Sequence, residues 1–229
     1  MKSLPLIILF ITFLSACTSD DVVKSEKEEL LGIFKKITNR SISKDKNVTH
    51  SSAFPNSKKW LEQFKQPIIL TSSTDKKNQA TLVSLGNNEE RLTWVSSDGI
   101  SLSYDDGVLI ATRGYSQDLL SLRYKKPKKI FSSSYLEYDK THRYLNGENR
   151  YNEIHFKCTG KKMALRSIEI VEYTLLVDRY VETCVSAKHK YINEYDLLSG
   201  TTVVMKSKQW ISPINRYFLT YNLYALQQF

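Results

Sequence analysis

The sequence predicts an all-β protein, an antiparallel meander curled into an open barrel or half-barrel with a short N-terminal helix. Two Asp-Gly pairs, Asp98-Gly99 and Asp106-Gly107, separate short apolar runs, and Asp-Gly favours hairpin turns because glycine accepts positive φ. Between the pairs, residues 100–105 alternate apolar and polar, the period of a strand with one buried face. About eleven such segments follow one another from Ile68 onward, and curling the sheet limits its exposed edges.

Polar turns delimit the individual segments. Three runs precede the Asp-Gly turns, and the run Val108 to Thr112 follows them as a strand buried on both faces. The expected strands before the turns cover 68–70, 80–85 and 92–94, and those beyond the meander cover 131–138, 151–158, 165–173, 176–185, 191–195, 203–210 and 217–226.

Helical patterns are confined to the N-terminal part. Ser25 and Glu28 have the spacing of a capping box, and apolar residues follow on one helical face, which predicts a helix from about Ser25 to Thr38. Residues 38–52 are polar and aperiodic and resemble a linker. A second short helix is expected over 56–64, ended by Pro67.

The first sixteen residues form a predicted signal peptide. Lys2 precedes an apolar run at 4–14 that is too short to span a bilayer comfortably. Leu14-Ser15-Ala16-Cys17 is similar to a bacterial lipobox, which predicts that Cys17 is acylated, for example with palmitate, and becomes the mature N-terminus. The alternative is an ordinary cleaved signal with a chance cysteine. Thr18, rather than aspartate, favours the outer membrane, with the protein facing the periplasm.

The expected organisation is therefore a signal peptide at 1–16, a lipidated tether at 17–24 and a single β-rich domain at 25–229. Removing Lys2 leaves 32 basic and 24 acidic residues, a formal charge of +8. In the periplasm the natural polyanions are acidic polysaccharide and lipopolysaccharide phosphates, and nucleic acid is not an expected partner. Alternatively, the paired lysines simply solvate turns and strand ends.

Cys158 and Cys184 are the cysteines that remain after lipidation of Cys17. In an oxidising periplasm an isolated pair favours a disulfide over a metal site or a nucleophile. The bridge would close a 27-residue loop and contribute about 3 kcal/mol if unstrained.

Motifs of catalysis are not visible. The 4 histidines are scattered, and the chain lacks HExxH, GxSxG and a glycine-rich phosphate loop. Asp105 and Asp106 are adjacent carboxylates in a turn, their ordinary place. We therefore predict no enzymatic activity, no metal and no cofactor. Strand aromatics such as Trp94, Tyr115 and Trp210 could stack on sugar rings or pack in the core.

Two stretches resemble the YjbF/GfcB (YmcC-like) family of lipoproteins. The first is Trp94 to Gly99 followed by Gly107 to Gly114 and Asp118-Leu119, and the second is Asn193-Glu194-Tyr195 followed by Gly200 and 207–210. Together with the lipobox, these motifs cover about 61–213. The candidate surface for a glycan or protein partner lies within or beside them: Trp94, Arg113, Tyr115, Gln209 and Trp210.

The resemblance implies an accessory lipoprotein of a group 4 capsule or exopolysaccharide operon, without assigned enzymatic activity. One hypothesis is a scaffold that works beside an export channel and binds export proteins or the acidic glycan. The other is a carrier whose half-barrel encloses a lipid or a lipid-linked glycan. An apolar cavity would favour the carrier, whereas a filled core with an exposed basic or aromatic patch would favour the accessory role.

Overall fold

The computed structural model describes residues 57–62, 64–74, 79–88, 91–125, 130–145 and 150–228. The helical elements in these ranges are α1 Lys58–Leu61, a 3₁₀ turn Ile130–Ser132 and α2 Leu223–Leu226. The strands are β1 Ile68–Ser73, β2 Gln79–Asn88, β3 Arg91–Val95, β4 Ser101–Asp105, β5 Val108–Arg113, β6 Leu119–Lys125, β7 Tyr135–Leu145, β8 Tyr151–Ile170, β9 Tyr173–Val185, β10 Lys190–Leu198, β11 Val204–Ser212 and β12 Arg216–Tyr221.

These strands form a single sheet in which every pair of neighbours is antiparallel. The order is β5-β4-β3-β2-β1-β12-β11-β10-β9-β8-β7-β6. Pairing of β1 with β12 joins the two halves of the sheet. The two edge strands, β5 and β6, are consecutive in the chain and close to each other, but no ladder joins them among the described residues. The sheet is thus a nearly closed barrel with one unsealed seam, and the predicted fold class is confirmed.

Three details differ from the predicted strands. β6 was not expected, because a bulge between Leu119 and Ser121 interrupts its alternation. The segments 151–158 and 165–173 belong mainly to one 20-residue strand, β8, which a bulge between Lys162 and Leu165 interrupts without ending. The run 217–226 is not a single strand, since Asn222 caps α2 by accepting a hydrogen bond from the Ala225 amide.

The predicted helix at 56–64 is shorter than expected. α1 covers four residues and begins after Ser57, whose side chain accepts a hydrogen bond from the Trp60 amide. Trp60 and Phe64 contact each other through their rings at 4.3 Å. The predicted signal peptide, Cys17, the tether and the helix at 25–38 lie outside the described residues.

Both Asp-Gly turns are present where the sequence places them. Gly99 has φ of +85°, and Asp106 and Gly107 have φ of +48° and +81°. A side chain at position 107 is also disfavoured by steric hindrance, because a Cβ there would lie 2.5 Å from Cγ2 of Val204. The β4–β5 turn therefore packs closely against the start of β11.

The inner face of the barrel forms a core rich in aromatic side chains. Tyr191 stacks on Trp210 with ring centroids 4.6 Å apart and an interplanar angle of 7°. Phe156 meets both rings edge-on. On β7, however, the inward alternation Tyr138, Lys140, His142, Tyr144 also places two ionisable side chains inside the barrel.

Candidate functional site at the barrel seam

A buried ion pair lies at the centre of the barrel. Lys140 Nζ is 2.7 Å from Oε1 and 2.8 Å from Oε2 of Glu182, and both side chains are 0% exposed. The same carboxylate accepts hydrogen bonds from the Tyr138 hydroxyl and, at 2.7 Å, from Asn193 Nδ2. A substrate has no access to this carboxylate, whose described partners come from β7 and β10.

The interior histidine is equally enclosed. His142 lies within 2.8 Å of the Tyr144 hydroxyl through Nδ1 and within 3.0 Å of the Tyr191 hydroxyl through Nε2. Burial, with the nearby charge of Lys140, holds the pKa of His142 well below 6.5. The ring is therefore neutral at physiological pH and acts as a hydrogen-bonded part of the core.

Cys158 and Cys184 form the predicted disulfide. They lie directly opposite each other on β8 and β9, with a Cα–Cα distance of 4.1 Å. With Glu182 they form a group of three metal-compatible side chains in the described part of the chain. Both sulfurs are bonded to each other and Glu182 binds Lys140, so this group has no ligand atoms to offer a metal.

Three of the five predicted surface residues are not on the surface. Trp94 is 3% exposed, Gln209 is 3% exposed and Trp210 is 6% exposed. Closure of the sheet turns their strand face into the core, so none of these three side chains lies on the outer surface of the barrel.

Gln209 instead joins opposite parts of the barrel. Its Oε1 accepts a hydrogen bond from the Leu109 amide at 2.8 Å, and its Nε2 donates to the Gly107 carbonyl at 2.9 Å. One side-chain amide on β11 thus satisfies two backbone groups at the start of edge strand β5, and it fixes one side of the seam.

Arg113 and Tyr115, the other two predicted residues, lie where the seam begins. The Arg113 guanidinium donates to the carbonyls of Leu119 and Leu120 on β6 at 3.3 and 3.4 Å. Tyr115 is half-buried, packs on Phe218 at 4.8 Å, and its pKa is raised by burial. Asp118 accepts a hydrogen bond from the Thr112 hydroxyl at 2.8 Å, which also connects the end of β5 to the start of β6. Their role in binding a partner stays a prediction.

At the other end of the seam, a side-chain contact joins edge strand β6 to the end of β4, just before the β4–β5 turn. The Tyr124 hydroxyl on β6 donates to Oδ2 of Asp105 at 3.0 Å. Burial raises the pKa of Tyr124, and the Asp105 carboxylate raises it further. The seam is therefore held at both ends by side chains.

Between these two contacts lies an outward-facing groove of about 720 Å³, which we call the seam groove. It combines two exposed arginines with hydroxyl groups and an apolar floor. Its lining residues are Leu85, Arg91, Thr93, Ser103, Ile110, Ala111, Leu120, Ser121, Leu122 and Arg123.

A second outer groove, of about 820 Å³, lies on the other side of β6 and shares Arg123. Lys157 and His155 contribute to its lining, opposed by Asp139. We call it the side groove. The two grooves follow each other across the edge strand, with exposed cations along both.

Arg123 can leave its ion pair with Glu153 and bind another anion with little loss of free energy. It lies 3.3 Å from Oε1 of Glu153, and its side chain is 61% exposed, so solvent screening leaves the pair weak. Glu153 also accepts a hydrogen bond from Arg143, which is the main cause of its lowered pKa. An incoming carboxylate or phosphate can therefore bind Arg123 while Glu153 keeps Arg143.

The sequence analysis missed Arg91 and Arg123. Arg123 lies on β6, the strand that was not predicted, and Arg91 begins β3. Only the pairing that brings β5 and β6 to the two edges of one sheet places these residues around the same groove.

The structure thus combines a largely packed barrel core with two grooves on the outer face. The chain belongs to the family described as group 4 capsule polysaccharide lipoprotein gfcB, YjbF, whose model matches residues 45–220. The resemblance seen in the sequence is thus confirmed. The family description names a lipoprotein of capsule polysaccharide and no reaction.

The fold is similar to the crystal structure of the hypothetical lipoprotein YmcC from Escherichia coli (K12). The TM-score is 0.64 at 15% identity, over 71% of this chain and 86% of the YmcC chain. No curated protein matches the chain. Among the described residues, none of the helices is long and apolar enough to cross a membrane.

Proposed function

We propose that this protein is a non-enzymatic accessory lipoprotein in capsule or exopolysaccharide secretion or assembly. It is held at the outer membrane by acylated Cys17 and faces the periplasm. The observation that carries the proposal is the family match over residues 45–220. The lipobox at 14–17 supports the anchor, because two or three acyl chains hold a protein stably on a membrane.

The surface that we propose for contact with an acidic glycan, or with an export protein that presents acidic groups, is the seam groove. Arg91 and Arg123 supply exposed guanidinium groups, which bind carboxylates and phosphates through two parallel hydrogen bonds. Thr93 and Ser103 hydroxyls, 3.0 Å apart, offer further hydrogen bonds, and Leu120 offers apolar contact. Both features suit a chain of acidic sugars.

The carrier alternative has less support. A lipid carrier needs a long apolar cavity, but the interior holds the Lys140–Glu182 pair and the stack of Tyr191 on Trp210. The cavity at the barrel end has about 210 Å³, below the roughly 300–1,000 Å³ typical of sites for drug-sized ligands. These observations favour the accessory role.

The proposal is tested in a strain that lacks the gene. Surface polysaccharide should fall while precursor sugars are still made, and wild-type protein should restore it. A double variant Arg91→Glu with Arg123→Glu should restore it only in part. The matched control is Lys59→Glu with Lys65→Glu, two exposed lysines outside both grooves, and this control should restore it fully. Unchanged surface polysaccharide in the deletion strain, with the operon expressed, would refute the proposal.

A binding assay distinguishes the two hypotheses. Purified acidic polysaccharide should bind the wild-type domain more weakly as salt rises, because exposed charges are screened over ~8 Å at physiological ionic strength. Salt-insensitive binding of a phospholipid, with no binding of the polysaccharide, would support the carrier instead.

The anchor has its own test. Mass spectrometry of membrane-extracted protein should find acyl chains on Cys17, and Cys17→Ala should release a folded domain into the periplasm. A soluble wild-type protein with a free Cys17 thiol would contradict the anchor.

A further inference from the structure

A cavity of about 210 Å³ opens at one end of the barrel, between the β4–β5 turn and the β10–β11 turn. We call it the barrel-mouth cavity. It is separate from the seam groove and shares no lining residue with it. Trp94 and Met205 form part of its wall, and Val203 lies at its rim with 41% exposure.

The cavity wall contains polar as well as apolar groups. Ser207 and Thr220 line the cavity together with Trp94 and Met205, and Asp106 lies at the turn. An alkyl chain filling this space would remove water from the polar groups without replacing their hydrogen bonds, which is unfavourable. A ligand that suits the wall has one apolar face and several hydroxyl groups.

Buried hydroxyl groups point to the same requirement. The Tyr104 hydroxyl and Thr220 Oγ1 share one hydrogen bond of 2.9 Å, which leaves further donor and acceptor capacity on these two oxygens. Thr71 does not line the cavity itself, but it lies directly opposite Thr220 on the neighbouring strand, so the two side chains share a face. Its Oγ1 is buried and has no hydrogen-bond partner within the described ranges.

We propose that the barrel-mouth cavity binds one pyranose ring, at the end of a glycan or as a branch from it. The ring's apolar face would pack on the apolar side chains that line the cavity, with Val203 at the rim and Trp94 in the wall, and its hydroxyls would meet Ser207 and the Asp106 carboxylate. A cavity below the size of drug-binding sites admits a single ring and no longer chain. The choice of ligand class rests on the proposed function, whereas the site rests on the geometry.

The chain offers built-in reporters for this site. Of its 3 methionines, Met1 belongs to the predicted signal peptide, Met205 is 0% exposed in the cavity wall, and Met163 is 46% exposed on β8. In the mature domain with ¹³C-methyl methionine, titration with glucuronate, galactose and N-acetylglucosamine should shift the Met205 signal for at least one sugar. Saturation is expected in the millimolar range, as for small ligands with few contacts. The Met163 signal should stay fixed.

A blocking variant links the shift to the cavity. Val203→Trp places a large side chain at the rim without changing the core, and it should abolish the sugar-induced shift of Met205. The matched control is Ile214→Trp, at a residue that is 65% exposed and follows the far end of β11. This control should bind as the wild type does.

Three results would overturn the proposal: no sugar shifts Met205, the shift persists in Val203→Trp, or decanoate shifts Met205 while the sugars do not. The last result would make the cavity an alkyl site. Each of them can occur while the deletion strain still loses surface polysaccharide, so failure of this site is distinguishable from failure of the proposed function.

Discussion

Loss of the Lys140–Glu182 pair should lower the stability of the barrel strongly. Lys140→Met keeps an apolar stem of similar length and removes the cation. Glu182 would then retain the Tyr138 hydroxyl and Asn193 Nδ2 as donors, but its charge would stay buried without a counter-charge.

The magnitude follows from the complete burial of both partners. Removing one member of a buried ion pair costs about 3–5 kcal/mol, because the other charge is left uncompensated. In a domain of this size, each kcal/mol lowers Tm by roughly 2–4 °C, so the expected loss is roughly 6–20 °C. The free energy of unfolding of a typical domain is about 5–15 kcal/mol, and the variant should therefore be marginally stable.

Urea unfolding of the mature domain, followed by circular dichroism, measures the change in free energy. Glu182→Gln and the double variant Lys140→Met with Glu182→Gln complete a double-mutant cycle. The double variant should lose less than the two single losses added together, with a coupling of about 2–3 kcal/mol. The control is Lys162→Met, which breaks a 2.9 Å pair with Asp178 in which the lysine side chain is 44% exposed. It should cost at most about 1 kcal/mol.

A loss below about 1 kcal/mol for Lys140→Met, or additive single losses in the cycle, would refute this reasoning. Either result would mean that the two charges do not depend on each other in the folded barrel.

Three further predictions concern stability. Gln209→Leu should lose about 2–4 kcal/mol, since it leaves the Leu109 amide and the Gly107 carbonyl unpaired in the interior, and amide exchange at Leu109 should accelerate. Protein without Cys17 should show no free thiol until the Cys158–Cys184 bond, with a sequence separation of 26, is reduced, and reduction should cost about 3–4 kcal/mol. Burial keeps the pKa of His142 below its ordinary value of 6.5, so the unfolded chain binds the extra proton. Stability should therefore be flat above about pH 6.5 and fall below it, by at most about 1.4 kcal/mol per pH unit.

Each of these has a result that would contradict it. An unchanged rate of amide exchange at Leu109 in Gln209→Leu would mean that the Gln209 side chain does not hold edge strand β5. Two free thiols in unreduced protein would remove the disulfide. The slope below pH 6.5 should vanish in His142→Gln and persist in His155→Gln, whose histidine is exposed. The reverse pattern would contradict the assignment of this pH dependence to His142.

Local patterns predicted the all-β class well, because a turn or an alternation is encoded by adjacent residues. Asp106-Gly107 adopts the positive φ that its composition favours. Asn222 shows the limit of this reasoning: its capping side chain ends the strand run at 217–226, and the apolar alternation beyond it belongs to a helix. The strand β6 was not predicted, because a bulge shifts its alternation by one residue.

The candidate site could not be predicted in the same way. Trp94, Gln209 and Trp210 were grouped as a surface because aromatic and amide side chains serve both cores and sugar sites. One local signal was available, since Gln209 shares a strand face with Ile211, and both are buried. Lys140 gave a similar signal, because it lies between inward-facing tyrosines at 138 and 144.

The sequence by itself determined the strand content, the two Asp-Gly turns, the pairing of Cys158 with Cys184 and the family. Each of these depends on neighbouring residues or on a small number of possible partners. The tertiary structure decided which face became the interior and which residues surround the seam groove. Arg91 and Arg123 lie 32 positions apart on strands that do not pair, and Gln209 reaches β5 across the barrel. Only closure of the sheet brings such residues together, because the contacts depend on the register and curvature of all twelve strands.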